Sequence, residues 1–413
     1  MGTVAQTNAL TLSGQVSVDA SGQATQREPS QWLRRRVAQV ALAPDFSSLN
    51  LPRVDFDALL TEQLTRAKDF KSRVLAPRSW GEWFLDVIEG PWAPAKPDMP
   101  TRLDRGPQAP RHLPFRKAVD GVVDETQRRE LKGFLQRSET KWSLSRWTSV
   151  YEYMVPIRNL PVALEGLSIL HLSDIHFLKG NDRSIKELAH VARYLEAGER
   201  RVDAILISGD IITRSPDDLS PEALLQLRRI SAVCPQSFMV YGNHDYHGHM
   251  PAVISRELER VGFHDINNHQ VRLRVGTATL NIFGIDDAYF GDPRPPRDVN
   301  KDEINIVLTH NLDAIRHDFP GDVDLILSGH THWGEVKWLD GAGFMRWWGY
   351  CDNLNKHTKK WDVLSERTLS FVHPGLARYY VPYRGMRHPP GVVFHTLCRQ
   401  STPAEQKEER DVE

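Results

Sequence analysis

Five short apolar runs in the second half of the chain constrain the fold most, because each ends abruptly in small and ionisable residues. The runs are LSILHLSDIHF, VDAILISGDII, QSFMVYGNHD, INIVLTHN and VDLILSGHTHWG. Helix-like segments, RSIKELAHVARYLEAGER and PEALLQLRRI, lie between the early runs, and a hairpin-like pair that turns at Gly276-Thr277 is inserted among the later ones. Apolar strands that alternate with helices predict an α/β fold whose sheets are covered on both faces. Ligands in such folds collect at the carboxyl ends of the strands, where these polar residues fall.

The whole chain is predicted to comprise four segments. Residues 1–30 are rich in Ser, Thr, Gln and Gly, which predicts a disordered tail. Residues 31–145 predict an N-terminal extension with helices and a proline-rich wrap, including an amphipathic helix over Phe56–Val74. Residues 146–400 are predicted to form the main domain, and residues 401–413 a charged disordered tail.

Composition argues against several classes of function. Lys and Arg total 52 and Asp and Glu total 53, so the charge does not favour long nucleic acids as partners. The three cysteines are widely spaced, which disfavours a disulfide framework or a thiolate zinc site. The sequence shows no secretory signal and no apolar run long enough for a membrane span, so we expect a cytoplasmic protein. Peripheral membrane contact through the basic stretch Leu33–Arg36 is the alternative to a solvated helix end.

The polar residues that follow the five runs form one constellation of oxygen and imidazole donors. Any one of them alone is better explained as a turn residue or a satisfied histidine. Together, without a metal, these groups would meet a heavy desolvation cost if buried. The constellation consists of Asp174, His176, Asp210, Asn243, His244, Asp245, His310, His330 and His332.

A donor set without thiolates is typical of hydrolytic metals such as Mn, Fe or Zn rather than of structural zinc. The number of donors suffices for two divalent ions if one carboxylate bridges them. Two cations about 3.5–4 Å apart can hold a bridging hydroxide and stabilise an in-line displacement at phosphorus. The sequence therefore predicts a dinuclear hydrolytic site.

The ordered blocks DIH, GD, GNHD, TH and GHTH resemble the signature of the calcineurin-like metallophosphoesterase superfamily, over about residues 165–398. The resemblance implies a sandwich of two mixed β-sheets flanked by helices. It implies that His244 contacts the phosphoryl group and protonates the leaving oxygen, with Asp245 orienting its ring. It also implies the ligands of the two metals: Asp174, His176, Asp210 and His332 for one, with Asp210 bridging, and Asn243, His310 and His330 completing the other.

The flanking stretches VPIRNLPVALEGLSILHLSDIHF and YYVPYRGMRHPPGVVFHTL are similar to a bacterial branch of membrane-associated phosphodiesterases. Some members of that branch cleave lipid-linked or nucleotide-sugar phosphates. The chain departs from the branch by having Trp333 and Glu335 where small residues follow GHTH. It departs again by an aromatic and basic insertion between Lys337 and Ser370, so the substrate is less constrained than the metal chemistry.

These observations favour a dinuclear metal-dependent phosphoesterase, and a phosphodiesterase rather than a monoesterase, acting by metal-bridged hydroxide attack with His244 assisting the leaving group. The expected substrate is a small-molecule or lipid-linked phosphate ester. One alternative is a non-catalytic scaffold on the same fold, although such proteins lack one or more ligands and this chain has all of them. The other is a nucleotide phosphodiesterase or nuclease. Near the site, His247 and His249 could be extra ligands, but surface or substrate-rim positions are favoured. For Asp286 and Asp287 a structural turn is favoured over a catalytic role.

Overall fold

The computed structural model describes residues 15–18, 24–27, 124–198, 200–249, 251–297, 299–315, 321–333, 360–377 and 389–400. Within these ranges, no helix has both the length and the apolar character that crossing a bilayer requires. The chain divides into two units, Met1–Ala43 and Pro44–Glu413. The helix predicted over Phe56–Val74 and the charged tail 401–413 lie outside the described residues.

The first unit contains one pair of described strands, β1 (Gln15–Val18) and β2 (Ala24–Arg27). They pair antiparallel, with Gln15 opposite Arg27 and Val18 opposite Ala24. This pair lies inside residues 1–30, the segment for which the composition predicts a disordered tail.

The second unit contains a seven-stranded sheet with the order β3-β4-β15-β5-β6-β7-β8. Its central strands β5, β6 and β7 are parallel, whereas β15 runs antiparallel to β5. The strands are β3 (Thr140–Ser143), β4 (Ser149–Ile157), β5 (Ser168–Leu172), β6 (Ala204–Ser208), β7 (Ser237–Val240), β8 (His264–Asp265) and β15 (Gly391–Arg399).

A six-stranded sheet has the order β13-β14-β12-β11-β10-β9. The four strands β10, β11, β12 and β14 are parallel, and the outer strands β9 and β13 are antiparallel to their neighbours. Both sheets are therefore mixed, which confirms the predicted α/β class. The strands are β9 (Gln270–Val275), β10 (Ala278–Ile285), β11 (Ile304–Thr309), β12 (Leu325–Ser328), β13 (Trp361–Val363) and β14 (Leu369–Val372).

Four described helices accompany these sheets, and one of them shows how local sequence fixes a helix start. The Ser220 side chain accepts a hydrogen bond from the Ala223 amide, and Pro221 occupies the first turn, where no amide donor is required. The helices are α1 (Glu125–Arg137), α2 (Arg183–Glu196), α3 (Pro221–Ser231) and α4 (Pro251–Arg260).

Successive residues of the central strands enter two separate apolar cores, as the period of two in a strand requires. Ile169 and Leu206 belong to the core shared with the six-stranded sheet. Their neighbours Leu170 and Ile205 belong to the core formed with α2, α3 and α4. The strands are thus buried on both faces, so only their ends can present polar side chains to a ligand.

The five apolar runs of the sequence form β5, β6, β7, β11 and β12, and the predicted hairpin is β9-β10, with Gly276 at a φ of 59°. The seven-stranded sheet also includes β3, which precedes the domain boundary predicted at residue 146. The end of the predicted insertion, from Trp361 onward, contributes β13 and the start of β14. These short strands lack the long apolar runs by which the others are recognised.

A buried ion pair closes the amino ends of three parallel strands. Arg367 donates from Nε and Nη2 to the two carboxylate oxygens of Asp324, over 2.8 and 3.0 Å. Asp324 is 1% exposed and also accepts a hydrogen bond from the Asn305 amide at 2.8 Å. The pair therefore links residues at the starts of β11, β12 and β14.

Replacing Arg367 by methionine should lower the free energy of unfolding by about 3 kcal/mol, because it leaves the Asp324 carboxylate buried without its partner. Arg158→Met is the control, since Arg158 and Glu366 form a pair whose side chains are 52% and 48% exposed, and such pairs contribute about 0–1 kcal/mol. Urea denaturation followed by circular dichroism measures both values. Equal losses in the two variants would contradict the buried pair's importance.

Candidate metal centre

The predicted site residues lie at adjacent strand ends, and their backbone is unusual. In the part of the chain that the structure describes, eight non-glycine residues have a positive φ. Five of the eight belong to the predicted constellation: Asp174 (53°), His176 (50°), Asp210 (54°), His330 (71°) and His332 (48°). Left-handed backbone is costly for such residues and persists where the surrounding structure enforces it, which is typical of functional sites.

One group of donors consists of Asp174, His176 and His332, whose ligand atoms all lie within 4.8 Å of one another. The Nε2 atom of His332 is 2.7 Å from Oδ1 of Asp174. The main-chain amide of His330 donates to the same carboxylate over 3.2 Å, so the GHTH turn is attached to Asp174. The end of β12 is thereby fixed against the end of β5.

A second group consists of Asp210, His310 and His330, again with ligand atoms within 4.8 Å. The Nε2 atom of His310 is 3.3 Å from Oδ2 of Asp210. The Oδ1 atom of Asn243 is 3.1 Å from His310 Nε2 and 3.0 Å from His330 Nδ1. Asn243 therefore lies beside this group of donors, and its role as a ligand stays a prediction.

Asp210 connects the two groups. It forms a third set of possible ligands with His176 and His244, and His176 is also a member of the first group. Its Oδ2 atom is 3.6 Å from His176 Nε2, while its Oδ1 atom accepts a hydrogen bond from the His244 amide at 2.8 Å. One carboxylate oxygen is held by the backbone and the other faces imidazoles from both sheets.

Burial and the nearby carboxylates have opposite effects on the pKa values of the histidines in the centre. Burial alone would lower the pKa of His310, but the negative charges of Asp210, Asp174 and Asp287 raise it to about 10. For His176, burial and the neighbouring His244 lower the pKa to about 3. A buried site with carboxylates that attract positive charge, and with imidazoles that ligate a metal once they are deprotonated, fits divalent cations of the Mn, Fe or Zn type.

Gly242 and Gly329 permit the close packing of these loops. A Cβ atom at Gly242 would overlap the main chain and side chain of Asp210. A Cβ atom at Gly329 would overlap the Ser173 hydroxyl and the Asp174 carboxylate. The glycine before the first histidine of GHTH therefore allows the turn to lie directly against Asp174.

The ring of His244 is oriented by a main-chain carbonyl group. Its Nδ1 atom is 2.9 Å from the carbonyl oxygen of Thr213. The Asp245 carboxylate, for which the resemblance implies this role, instead accepts hydrogen bonds from the amides of Ile211, Ile212 and Gly242. Asp245 thus holds the loops after β6 and β7 together, and burial with the charge of Asp210 raises its pKa to about 7.

His247, for which the sequence favours the surface or the substrate rim, is a buried neighbour of His244. It is 4% exposed rather than at the surface, and its Nδ1 atom is 2.6 Å from the same Thr213 oxygen. The two imidazole rings are 4.4 Å apart. Asp218 fixes this carbonyl group by accepting hydrogen bonds from the amides of residues 213, 214 and 215. The Ser-Pro-Asp-Asp turn that supplies Asp218 is visible in the sequence, but the carbonyl group that it fixes is not. The side chain of His249 lies outside the described residues.

Asp286 and Asp287 form the structural turn that the sequence predicts. Asp287 accepts hydrogen bonds from the amides of Tyr289 and Phe290, and Asp286 accepts one from the Tyr246 hydroxyl. The turn places the half-buried Tyr289 ring 5.6 Å from the ring of His330. This contact was not predicted, because it depends on how the loop after β10 folds over β12.

Comparison with known proteins finds a family similarity over the part of the chain that contains this site. The family model described as Calcineurin-like phosphoesterase matches residues 167–334, a range that contains all nine predicted site residues. The chain is 31% identical to the uncharacterized metallophosphoesterase YkoQ of Bacillus subtilis (strain 168), covering 43% of this chain and 64% of that protein. It is 26% identical to the phosphodiesterase YaeI of Escherichia coli (strain K12), covering 41% and 62% of the two chains.

A third relative is the UDP-2,3-diacylglucosamine pyrophosphatase LpxG of Chlamydia trachomatis, with 28% identity over 43% of this chain and 68% of that protein. The chain spans less than two thirds of the length of YkoQ and of YaeI. In all three comparisons less than half of this chain is covered. Residues 167–334, which carry the candidate metal centre, are thus similar to the calcineurin-like phosphoesterase family.

Proposed function

We propose that this protein is a dinuclear metal-dependent phosphoesterase that hydrolyses phosphodiesters. The observation that carries the proposal is the position of Asp210, whose carboxylate connects the donors of one group with those of the other. A shared carboxylate is what two closely spaced cations require, because it offsets their mutual repulsion. The scaffold alternative is disfavoured, since every ligand position is filled by a competent donor.

In this proposal Asp174, His176 and His332 hold one cation, and Asn243, His310 and His330 hold the other, with Asp210 shared. Such a pair of cations supplies an activated water and charge stabilisation at phosphorus when bound. The chain's own residues fix the geometry of both positions through the left-handed turns and the amide hydrogen bonds to Asp174 and Asp210.

His244 is proposed to protonate the leaving oxygen. The carbonyl oxygen of Thr213 can only accept a hydrogen bond, so the Nδ1 atom of His244 is protonated and donates a hydrogen bond to that oxygen. The transferable proton of the imidazolium is therefore the one on Nε2. With Nδ1 anchored, the ring cannot turn away, and Nε2 keeps one orientation relative to the metal ligands. Asp245 and His247 are proposed to act as supports of this arrangement.

The substrate class follows from charge and from the relatives. The near-balance of 52 basic and 53 acidic residues gives no sign of a track for long nucleic acids. The names of two relatives, a phosphodiesterase and a UDP-2,3-diacylglucosamine pyrophosphatase, favour small or lipid-linked phosphodiesters and diphosphates. We therefore propose a small or lipid-linked substrate in which the attacked phosphorus is doubly substituted, by two ester groups or by one ester and one anhydride group.

The purified full-length protein should hydrolyse bis(p-nitrophenyl) phosphate or a nucleotide-sugar diphosphate faster than p-nitrophenyl phosphate. Activity should disappear on chelation and return with Mn²⁺. Initial rates against these substrates and against cyclic nucleotides test the proposal. A higher kcat/KM for the monoester, or activity indifferent to metal, would contradict it.

His244→Ala should retain metal and lose activity in a way that depends on the leaving group. General acid catalysis contributes about 10²–10⁴-fold, and an alkoxide leaving group needs the proton far more than nitrophenolate does. The kcat/KM values for an alkyl ester and a nitrophenyl ester, measured on protein of known metal content, test this. A similar loss on both esters would rule out the acid role.

Asp210→Asn should lower the occupancy of both metal positions, because it removes the charge that offsets the repulsion between the cations. Asn243→Ala should mainly lower one. Asp203→Asn is the matched control, since Asp203 is a buried carboxylate beside the opposite end of β6 that binds the Ser168 amide and Arg201. Elemental analysis of the three variants measures occupancy, and two full metals in Asp210→Asn would contradict the bridge.

A further inference from the structure

Trp333 directly follows the proposed ligand His332, and its side chain packs in the apolar core. Both residues have left-handed backbone, with φ values of 48° and 62°. The indole is 6% exposed and lies edge-on to the Tyr151 ring, with the ring centres 5.1 Å apart. Its Nε1–H group donates a hydrogen bond to the carbonyl oxygen of Val372. A large aromatic side chain thus anchors the turn where the family resemblance leads one to expect a small residue.

The ammonium group of Lys360 lies over one face of this indole. Its Nζ atom is 4.4 Å from the centre of the Trp333 ring. The same Nζ atom is 2.7 and 2.9 Å from the carboxylate oxygens of Glu139. The main chain of Lys360 accepts a hydrogen bond from the Val372 amide at 3.1 Å. Val372 is therefore bound on one side by Trp333 and on the other by Lys360.

We propose that Trp333 is a positioning residue for His332, and that Lys360 and Glu139 hold its indole in place. We call these three residues the indole clasp. The inference rests on the proposed function, since it takes His332 to be a metal ligand. The clasp depends on the tryptophan that departs from the pattern of the branch that this sequence resembles.

The physical reason lies in the turn itself. Two consecutive bulky residues in the left-handed region are unfavourable, and the turn persists only if other contacts compensate. Burial of the indole and its hydrogen bond to Val372 supply that compensation at the residue next to His332. Without them the His332 imidazole, which now lies 2.7 Å from Asp174 Oδ1, would sample other orientations. Cation binding would then have to order the ligand as well as coordinate it.

Lys360 strengthens the clasp because an ammonium group over a tryptophan face is attractive, and most favourable when partly desolvated. The ion pair with Glu139 holds the ammonium group in that position. Both side chains are partly covered, with 31% and 25% exposure. Glu139 precedes β3, and Trp333 follows β12, so the clasp also ties the metal-binding turn of one sheet to the edge of the other. His332 is thus supported from outside the set of metal ligands.

The first test compares Trp333→Phe with Trp361→Phe in the full-length protein after removal of metal. Trp361 is the matched control, since it is 9% exposed and packs 4.7 Å from Phe371 and 5.4 Å from Tyr153 in the same aromatic core. Calorimetric titration with Mn²⁺ should show two affinities. Removing a residue that orients a ligand weakens metal binding by about 10–100-fold. We expect that loss at one position in Trp333→Phe and none in Trp361→Phe, although both should lower Tm.

The second test replaces Lys360 and Glu139, whose side chains are partly exposed, so that the core stays intact. Lys360→Met and Glu139→Gln should each weaken the same Mn²⁺ position by about two- to fivefold, the change expected for loss of a partly exposed cation–π contact. Wild-type affinity in both Trp333→Phe and Lys360→Met, or an equal loss in Trp361→Phe, would overturn the proposal. A wild-type protein that binds two cations but hydrolyses no phosphodiester would contradict the proposed function alone. A wild-type protein that binds no cation would overturn both.

Discussion

The buried carboxylate of Asp210 is the group on which the arrangement of the site depends. It follows β6 in one sheet, yet its Oδ2 atom lies 3.3 Å from His310, which follows β11 in the other. Its Oδ1 atom is fixed by the His244 amide at 2.8 Å. Burial would raise the pKa of Asp210, but His310, His244 and His176 hold it well below the usual range. The carboxylate therefore stays charged, and opposite charge must gather around it from both sheets.

Parallel strand order explains how residues 174 to 332 reach one place. Strands β5, β6 and β7 are adjacent and parallel, and so are β11 and β12. Their carboxyl ends lie at one edge, and each adds one or two donors. The left-handed residues Asp174, Asp210 and His330 turn the chain sharply as it leaves these strands. The strand order thus sets where the donor residues lie, and the strained turns set the direction of their side chains.

Much of this was predictable from sequence, because each ligand follows an apolar run and β-strands of this kind deliver polar residues at their ends. The support of His244 was not predictable: a main-chain carbonyl such as that of Thr213 has no sequence signature. The burial of His247 depends on a 3₁₀ turn over His244–His249 that no local pattern marks. Trp333 was visible as a departure from the family, but its function follows only from the position of Val372 and Lys360 beside it. Sequence thus predicts the candidate donors, while the groups that orient them are seen only in the fold.

The two ends of the parallel strands show how structural and functional polar groups differ in the same sheet. At the amino ends of β11, β12 and β14, Arg367 satisfies both carboxylate oxygens of Asp324, so the charges cancel within the chain. At the carboxyl ends, carboxylates and imidazoles face one another with donor atoms within 4.8 Å, and burial penalises the charged form of each. A sheet selected for stability alone would pair both ends in the first way. Converging donors at one end, on backbone that is itself strained, carry a stability cost that the proposed cation binding would offset.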